Sequence, residues 1–153
     1  MAKKPTAADA QLILQLYDLR RESELRKARN WWTSEFWPAN ADDFAKIASA
    51  MGTQENAWLR QASSYWSMAA LLVLQGTLNA DLFLHPSNSG EMYFILAKVH
   101  PFLKELREKM GDPNLLGNIE KVIQSTKFSR ERFKWTLTRV AAARERRPAA
   151  KTA

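Results

Sequence analysis

The feature that most constrains the fold is an apolar segment near the middle of the chain, Thr53–Leu84. Within it, the run Met68–Leu74 contains no polar side chain. Thr53 is suited to cap a helix over this segment, and Gly76 is suited to end it. A helix that is apolar on all sides must be enclosed by other elements. The segment therefore predicts a central helix around which an all-α domain packs.

Small residues recur along the same predicted helix. Ala62, Ala69 and Gly76 follow one another at seven-residue intervals, so they share one face. Small side chains in line allow the backbone of another helix to approach closely, because no bulky group separates the two. We therefore expect the tightest helix crossing of the domain along this face.

Helical signals also precede the central segment. Thr6 with Asp9 is close to a capping box, with Asp in place of Glu or Gln, and predicts the start of a first helix. This helix is expected to extend to about Phe36, because Pro38 disfavours helical geometry in the residue before it. Asn40 is suited to cap a short second helix.

Two further apolar stripes predict helices after the central segment. Asn88 and Glu91 have the spacing of a capping box and predict the start of one helix. Pro101 should kink this helix near Val99, and Gly111 should end it. The next helix is expected to start at Asp112-Pro113. The sequence leaves open whether residues 127–129 interrupt it.

Together these patterns predict an all-α, single-domain bundle of five or six helices around the central apolar helix. A chain of 153 residues suits one compact domain, and a hydrophobic content of 46% is typical of a folded protein. We expect this domain to occupy residues 1–147 and the tail at 148–153 to be disordered.

Several functional classes lack their sequence signatures. Without Cys the chain can form neither a disulfide nor a thiolate metal site, and it has no cysteine nucleophile. Its two His residues belong to no recognised metal motif, and we find no glycine-rich phosphate loop and no nucleophile elbow. We therefore expect a non-enzymatic protein that uses no metal and no cofactor. We find no secretory signal and no transmembrane segment, so we expect a cytoplasmic location.

The positive charge of the chain is concentrated at its C-terminal end. Residues 127–153 contain nine Lys or Arg and two acids, a difference of +7 that equals the net charge of the whole chain. The candidate polyanion-binding residues in this region are Arg132, Trp135, Arg139 and Arg146, with the three Arg residues aligned at seven-residue intervals. The alternative is a solvated helix end, where cations interact favourably with the helix dipole.

Aromatic residues form a second candidate site. Trp31, Trp32 and Trp37 lie within seven residues, and Trp66 follows in the central helix. Adjacent residues differ by about 100° around a helix, so Trp31 and Trp32 should face different surroundings. These four residues predict either an aromatic patch or a pocket for an apolar ligand, with packing at a helix corner as the alternative.

The charged segment Arg20–Arg29 is mixed in sign. Glu22 is placed to pair with Arg26, and Glu24 is placed to pair with Lys27. We interpret this segment as a solvated helix face in preference to an anion-binding site.

Three functional hypotheses follow from these residues. The first is a non-enzymatic interaction module that binds a protein partner or itself through its aromatic surface and basic helix. The second is a helical bundle that binds a small apolar ligand in a Trp-lined pocket. The third is a nucleic-acid or polyanion binder that acts through the basic C-terminal helix.

Overall fold

The computed structural model describes residues 3–147, which form helices joined by short turns and contain no strand. The prediction of an all-α bundle is confirmed, and the tail predicted at 148–153 lies outside the described residues. No helix in the described range combines the length and the apolar character needed to cross a membrane. The helices are α1 (Ala7–Leu19), α2 (Ser23–Asn30), α3 (Ala41–Ser49), α4 (Gln54–Leu74), α5 (Ala80–Phe83), α6 (Pro86–Val99), α7 (Leu103–Met110), α8 (Gly117–Gln124) and α9 (Lys127–Arg146), with a π-helical turn over Trp31–Glu35 and a 3₁₀ turn over His100–Phe102.

The predicted central helix is α4. Thr53 caps its start by accepting a hydrogen bond from the backbone of Asn56, and Gly76 follows its end with a positive φ of 74°. The helix packs against α2, α3, α5 and α8. Ala62 and Ala69 are fully buried on the face where the close crossing is expected, whereas Gly76, the third small residue, is exposed beyond the end of the helix.

One expectation about α4 is wrong, because the helix is not enclosed on all sides. Met68 and Leu71 are 44% and 42% exposed, and Leu74 is 36% exposed. The neighbouring helices cover the face that contains Ala62 and Ala69, and they leave the opposite strip in solvent. The apolar run Met68–Leu74 is therefore wider around the helix than the surface that its neighbours bury.

The first predicted helix is divided at residues 20–22. Thr6 and Asp9 form the expected capping box at the start of α1. Glu22 then caps α2, because its carboxylate accepts hydrogen bonds from the backbone N–H groups of Glu24 and Leu25 at 3.1 and 2.8 Å. The residue predicted to pair with Arg26 inside a continuous helix therefore starts a new one.

The Trp31–Glu35 turn is π-helical. The backbone N–H of Phe36 donates to the carbonyl of Trp31 at 2.9 Å, five residues back instead of four. A π turn adds one residue to a helical turn and so changes which side chains share a face. Trp31 and Trp32 are both buried here, at 5% and 0% exposure.

Pro101 interrupts the long C-terminal stripe as predicted. The helix α6 ends at Val99, and a 3₁₀ turn carries the chain into α7. Gly111 ends α7 in the left-handed conformation, with a φ of 65°. Thr126 and Ser129 form a capping box at the start of α9, so the second stripe is divided at residues 125–126 and residues 127–129 belong to α9.

Two predicted helix starts are wrong. Asn88 does not cap α6, because His85 does so three residues earlier and the Asn88 side chain donates to the carbonyl of Leu82 at 2.7 Å. Asp112-Pro113 forms a turn instead of a helix start. The helix α8 begins only at Gly117, after Leu116 adopts a positive φ of 57°. The Asn88 side chain thus bonds to the preceding segment, whereas the Asp112 carboxylate accepts from the backbone N–H of Asn114 at 2.9 Å within the turn.

The close packing of α4 generates a stability prediction. Ala69→Leu should lower the free energy of unfolding by about 1–3 kcal/mol, because the larger side chain has no space on a fully buried face. Ser64→Leu is the matched control on the exposed side of the same helix, and its effect should stay within about 0.5 kcal/mol. Urea unfolding of the two variants measures the difference. Equal losses would contradict a close crossing at Ala69.

Candidate anion-binding surfaces

The helix α9 brings three of the four predicted polyanion-binding residues together. The guanidinium carbon of Arg132 lies 3.9 Å from the centre of the Trp135 ring, and that of Arg139 lies 5.2 Å from it. These distances are typical of cation–π contacts. Trp135 remains 49% exposed, so the indole holds two guanidinium groups at the surface of the protein.

An open cavity of about 390 Å³ lies beside this cluster, which we call the α9 surface and define by Arg132, Trp135 and Arg139. No acidic residue of the described chain lines the cavity. The Nε of Arg132 is buried and has no hydrogen-bond partner among the described residues. A buried donor without a partner carries an energetic cost. The residues that line the cavity are Gly90, Phe94, Arg132, Trp135, Thr136, Arg139 and Ala143.

Arg146, the fourth predicted residue, does not line this cavity. It lies in the last turn of α9 and is exposed. Its position fits the alternative interpretation, in which a cation interacts with the C-terminal end of the helix dipole.

The four candidate Trp residues do not form one pocket. Trp31 stacks on Phe36 at 4.4 Å between ring centres, and Trp32 meets the same Phe36 ring edge-on at 5.1 Å. Trp66 is fully buried elsewhere, next to Tyr65 at 5.0 Å. Protein side chains surround these rings, so the packing alternative describes Trp31, Trp32 and Trp66.

Trp37 has a different environment from the other three. Its ring meets Phe94 edge-on at 5.6 Å between centres, and it is only half-buried. The Nζ of Lys98 lies 4.2 Å from its ring centre on the inner side, and the guanidinium carbon of Arg147 lies 4.7 Å from it. The Trp37 ring therefore contacts both the buried amine of Lys98 and Arg147, the residue that follows α9.

Lys98 is a buried charge that the sequence patterns did not identify. It is fully buried on α6, and its Nζ donates a hydrogen bond to the carbonyl of Trp32. In an α-helix this carbonyl would accept from Phe36, but the π turn redirects that N–H to Trp31. Lys98 thus satisfies an acceptor that the π turn releases. The detectable signal is a single charged residue directly after the apolar run Met92–Ala97.

Among the described residues, the surroundings of Lys98 contain other cations and no carboxylate contact. Burial, together with the nearby guanidiniums of Arg147 and Arg144, lowers the pKa of Lys98 to about 7. Arg144 is itself held by two backbone carbonyls, those of Pro38 at 2.6 Å and Lys98 at 2.9 Å. Lys98 on α6 and Arg144 on α9 therefore link these two helices to the segment around Trp32 and Pro38.

Glu91 is a second side chain whose contacts the sequence patterns did not predict. Its carboxylate accepts from the Nε of Arg29 at 2.9 and 3.1 Å, and an Nη of the same residue lies 2.9 Å from it in an ion pair. It also accepts from the indole N–H of Trp66 at 2.8 Å. The residue expected to cap α6 instead connects that helix to α2 and α4.

Loss of the Glu91 carboxylate should be costly. Glu91→Ala leaves the Arg29 guanidinium and the Trp66 N–H without their acceptor, so the free energy of unfolding should fall by about 1–3 kcal/mol. Glu91→Gln keeps an acceptor and should lose less. Glu120→Ala, which breaks the more exposed ion pair with Arg107, is the control and should lose about 1 kcal/mol or less. Similar losses for the two Ala variants in chemical denaturation would contradict this role of Glu91.

The buried amine of Lys98 predicts a pH dependence. Its folded pKa of about 7 lies below the value of about 10.4 for an unfolded lysine, so the unfolded state binds more protons between these values. The free energy of unfolding should therefore rise from pH 7 to pH 9, by at most about 1.4 kcal/mol per pH unit. Tyr65 and Tyr93, whose pKa values burial raises, titrate above this window.

Lys98→Met provides the comparison for this measurement. The variant should lose the rise between pH 7 and pH 9 when urea unfolding is followed at each pH. Parallel profiles for the two proteins would show that the amine stays charged in the folded state. Such a result would favour the three surrounding rings over desolvation as the dominant influence on Lys98.

Comparisons with known proteins place most of the chain in one family. A search of curated proteins and a search of solved structures each returned no match. A family described as "Domain of unknown function (DUF4760)" matches residues 5–126, which include α1 to α8 and end directly before α9. Because the match covers more than half of the 153 residues, the chain belongs to the DUF4760 family.

Proposed function

We propose that the protein is a non-enzymatic binding module that takes single-stranded nucleic acid on its α9 surface. The observation that carries the proposal is the pair of guanidinium groups held on one half-exposed indole. A guanidinium stacked on a ring keeps its N–H edge free, and that edge matches the oxygens of a phosphate. Because Trp135 already positions Arg132 and Arg139, less side-chain entropy is lost on binding.

The adjoining cavity supplies the second part of the proposed recognition. Phe94 and Trp135 contribute aromatic surface to it, while Gly90 leaves room beside them. Proteins that bind single strands without sequence preference combine a basic groove with aromatic side chains on which bases stack. This combination favours a nucleic acid over an acidic peptide, which needs the cations but gains nothing from the rings.

The charge distribution supports the same partner. The excess of +7 in residues 127–153 produces a field that attracts a polyanion toward this end of the molecule. At physiological salt this attraction is screened beyond about 8 Å. Long-range steering and short-range phosphate contacts would then both depend on ionic strength.

The experiment is fluorescence anisotropy with a labelled single-stranded DNA oligonucleotide over a range of salt concentrations. The affinity of the unmodified protein should fall steeply as salt rises, because phosphate contacts release counterions. Arg132→Glu with Arg139→Glu should weaken binding by about tenfold or more at low salt. Trp135→Ala should also weaken it, because both guanidinium groups lose their support.

A charge-matched control separates this site from general electrostatics. Arg130→Glu with Lys134→Glu makes the same change in net charge on exposed positions of α9. It should weaken binding less than the Arg132 and Arg139 pair. Equal effects, or no oligonucleotide binding at low salt, would refute the site. Binding of polyglutamate in preference to the oligonucleotide would refute the nucleic-acid assignment.

A further inference from the structure

Four arginines surround a second cavity, at the turn between α1 and α2. The cavity has a volume of about 340 Å³, and within residues 3–147 no acidic side chain lines it. We call this site the arginine pocket. The residues that line it are Tyr17, Arg20, Arg21, Arg26 and Arg29.

Arg20 is fixed in place by neutral partners. Its Nε donates to the hydroxyl of Tyr65 at 3.2 Å, and an Nη donates to the carbonyl of Asn88. The guanidinium carbon also lies 4.8 Å from the centre of the buried Trp66 ring. Tyr65 is itself oriented by donating to the carbonyl of Leu16 at 2.6 Å. Because none of these partners is charged, they orient the Arg20 cation without neutralising it.

Arg29 is the second fixed cation. The three contacts with the Glu91 carboxylate hold its guanidinium against α6. Glu91 does not line the arginine pocket itself. It lines a smaller adjoining cavity of about 220 Å³ that also includes Arg26 and Arg29. Glu91 therefore holds Arg29 from outside the arginine pocket, and the charged residues that line the pocket remain basic.

The remaining two cations are exposed and adaptable. Arg21 lies 3.8 Å from Asp18, but their side chains are 76% and 78% exposed, so this ion pair is weak. Arg26 makes no ion pair among the described residues. Its expected partner, Glu22, uses its carboxylate to cap α2. The pocket thus has two preoriented arginines and two that can close on a ligand.

The charge balance indicates a doubly negative ligand. Four arginines less the nearby Asp18 and Glu91 leave an excess of two positive charges. Like charges gathered at one site repel each other, and an anion bound between them relieves that repulsion. A phosphate monoester carries close to two negative charges at neutral pH, since its second pKa is about 6. Guanidinium groups match its oxygens in geometry as well as in charge.

We propose that the arginine pocket binds a phosphate monoester, with Tyr17 as a stacking face for the organic part of the ligand. The Tyr17 ring is 56% exposed, lines the cavity and lies 5.2 Å from the Arg20 guanidinium carbon. The cavity volume is at the lower end of the range for small-molecule sites. A mononucleotide combines the required phosphate with a flat ring system. This site lies within residues 5–126 and does not depend on the α9 surface.

Isothermal titration calorimetry of the full chain at low salt tests the proposal, with inorganic phosphate and adenosine monophosphate as probes. Both should bind saturably, and adenosine monophosphate should bind more tightly because its base can stack. Arg21→Gln with Arg26→Gln should weaken both by about tenfold or more. These two residues are exposed, so their replacement leaves the contacts of Arg20 and Arg29 intact.

Two comparisons make the result specific. Lys27→Gln with Lys46→Gln removes the same charge from exposed positions outside the pocket and should leave both affinities within about twofold. Tyr17→Ala should weaken only adenosine monophosphate. If Tyr17→Ala leaves that affinity unchanged, stacking on Tyr17 is refuted.

The α9 variant distinguishes this proposal from the nucleic-acid proposal. Arg132→Glu with Arg139→Glu should retain the binding of both small probes even if it loses the oligonucleotide. Absence of binding to the unmodified protein would refute the arginine pocket. So would an unchanged affinity in the Arg21 and Arg26 variant, or loss of the small probes in the α9 variant alone.

Discussion

The Glu91 carboxylate joins three helices through one partly buried charge. It accepts hydrogen bonds from Arg29 on α2 and from the Trp66 indole on α4, while its own backbone belongs to α6. Removing a carboxylate from water is costly unless hydrogen-bond donors of the protein replace the water. Here the donors are the Arg29 guanidinium and the Trp66 indole. The relative positions of α2 and α6 then determine where Arg20 lies, because Arg20 bonds to the Asn88 carbonyl in the first turn of α6. The geometry of the arginine pocket thus depends on an acid that does not line it.

Lys98 has a comparable role at the other end of α6. The π turn at Trp31–Glu35 releases the Trp32 carbonyl, and the Lys98 amine donates to it. Three aromatic rings lie within 5.9 Å of that amine, and their negative faces partly replace the lost hydration. One helix therefore contains a fully buried amine and a partly buried carboxylate. Each one fastens α6 to the chain segment around α2 and the π turn.

Local signals in the sequence were sufficient for much of the fold. Thr6, Thr53 and Gly76 act within a few residues of themselves, so their roles as caps and helix ends could be predicted. Asn88 and Glu91 have equally good capping chemistry, yet the Asn88 side chain bonds to Leu82 and the Glu91 side chain bonds to Arg29. Both partners lie outside α6. The α9 surface was partly predictable because helical spacing alone brings Arg132, Trp135 and Arg139 together. The arginine pocket could not be predicted, because Glu22 and Glu24 make the Arg20–Arg29 segment look neutral in the sequence. In the structure Glu22 caps α2 and Glu24 pairs with Lys27.

The two basic surfaces both approach the start of α6. Gly90 lines the cavity of the α9 surface, and its neighbour Glu91 lines the small cavity beside the arginine pocket. Adjacent residues point about 100° apart around a helix, so the two cavities open on different sides of α6. Gly90 presents no side chain between them, and an added Cβ there would meet no atom within 4 Å. The α9 guanidiniums rest on an exposed ring, whereas Arg20 and Arg29 are fixed by partly buried contacts. Cations spaced along an open helix surface suit an extended polymer, and cations gathered around one cavity suit a small ligand, so the two sites differ in the ligands that they favour.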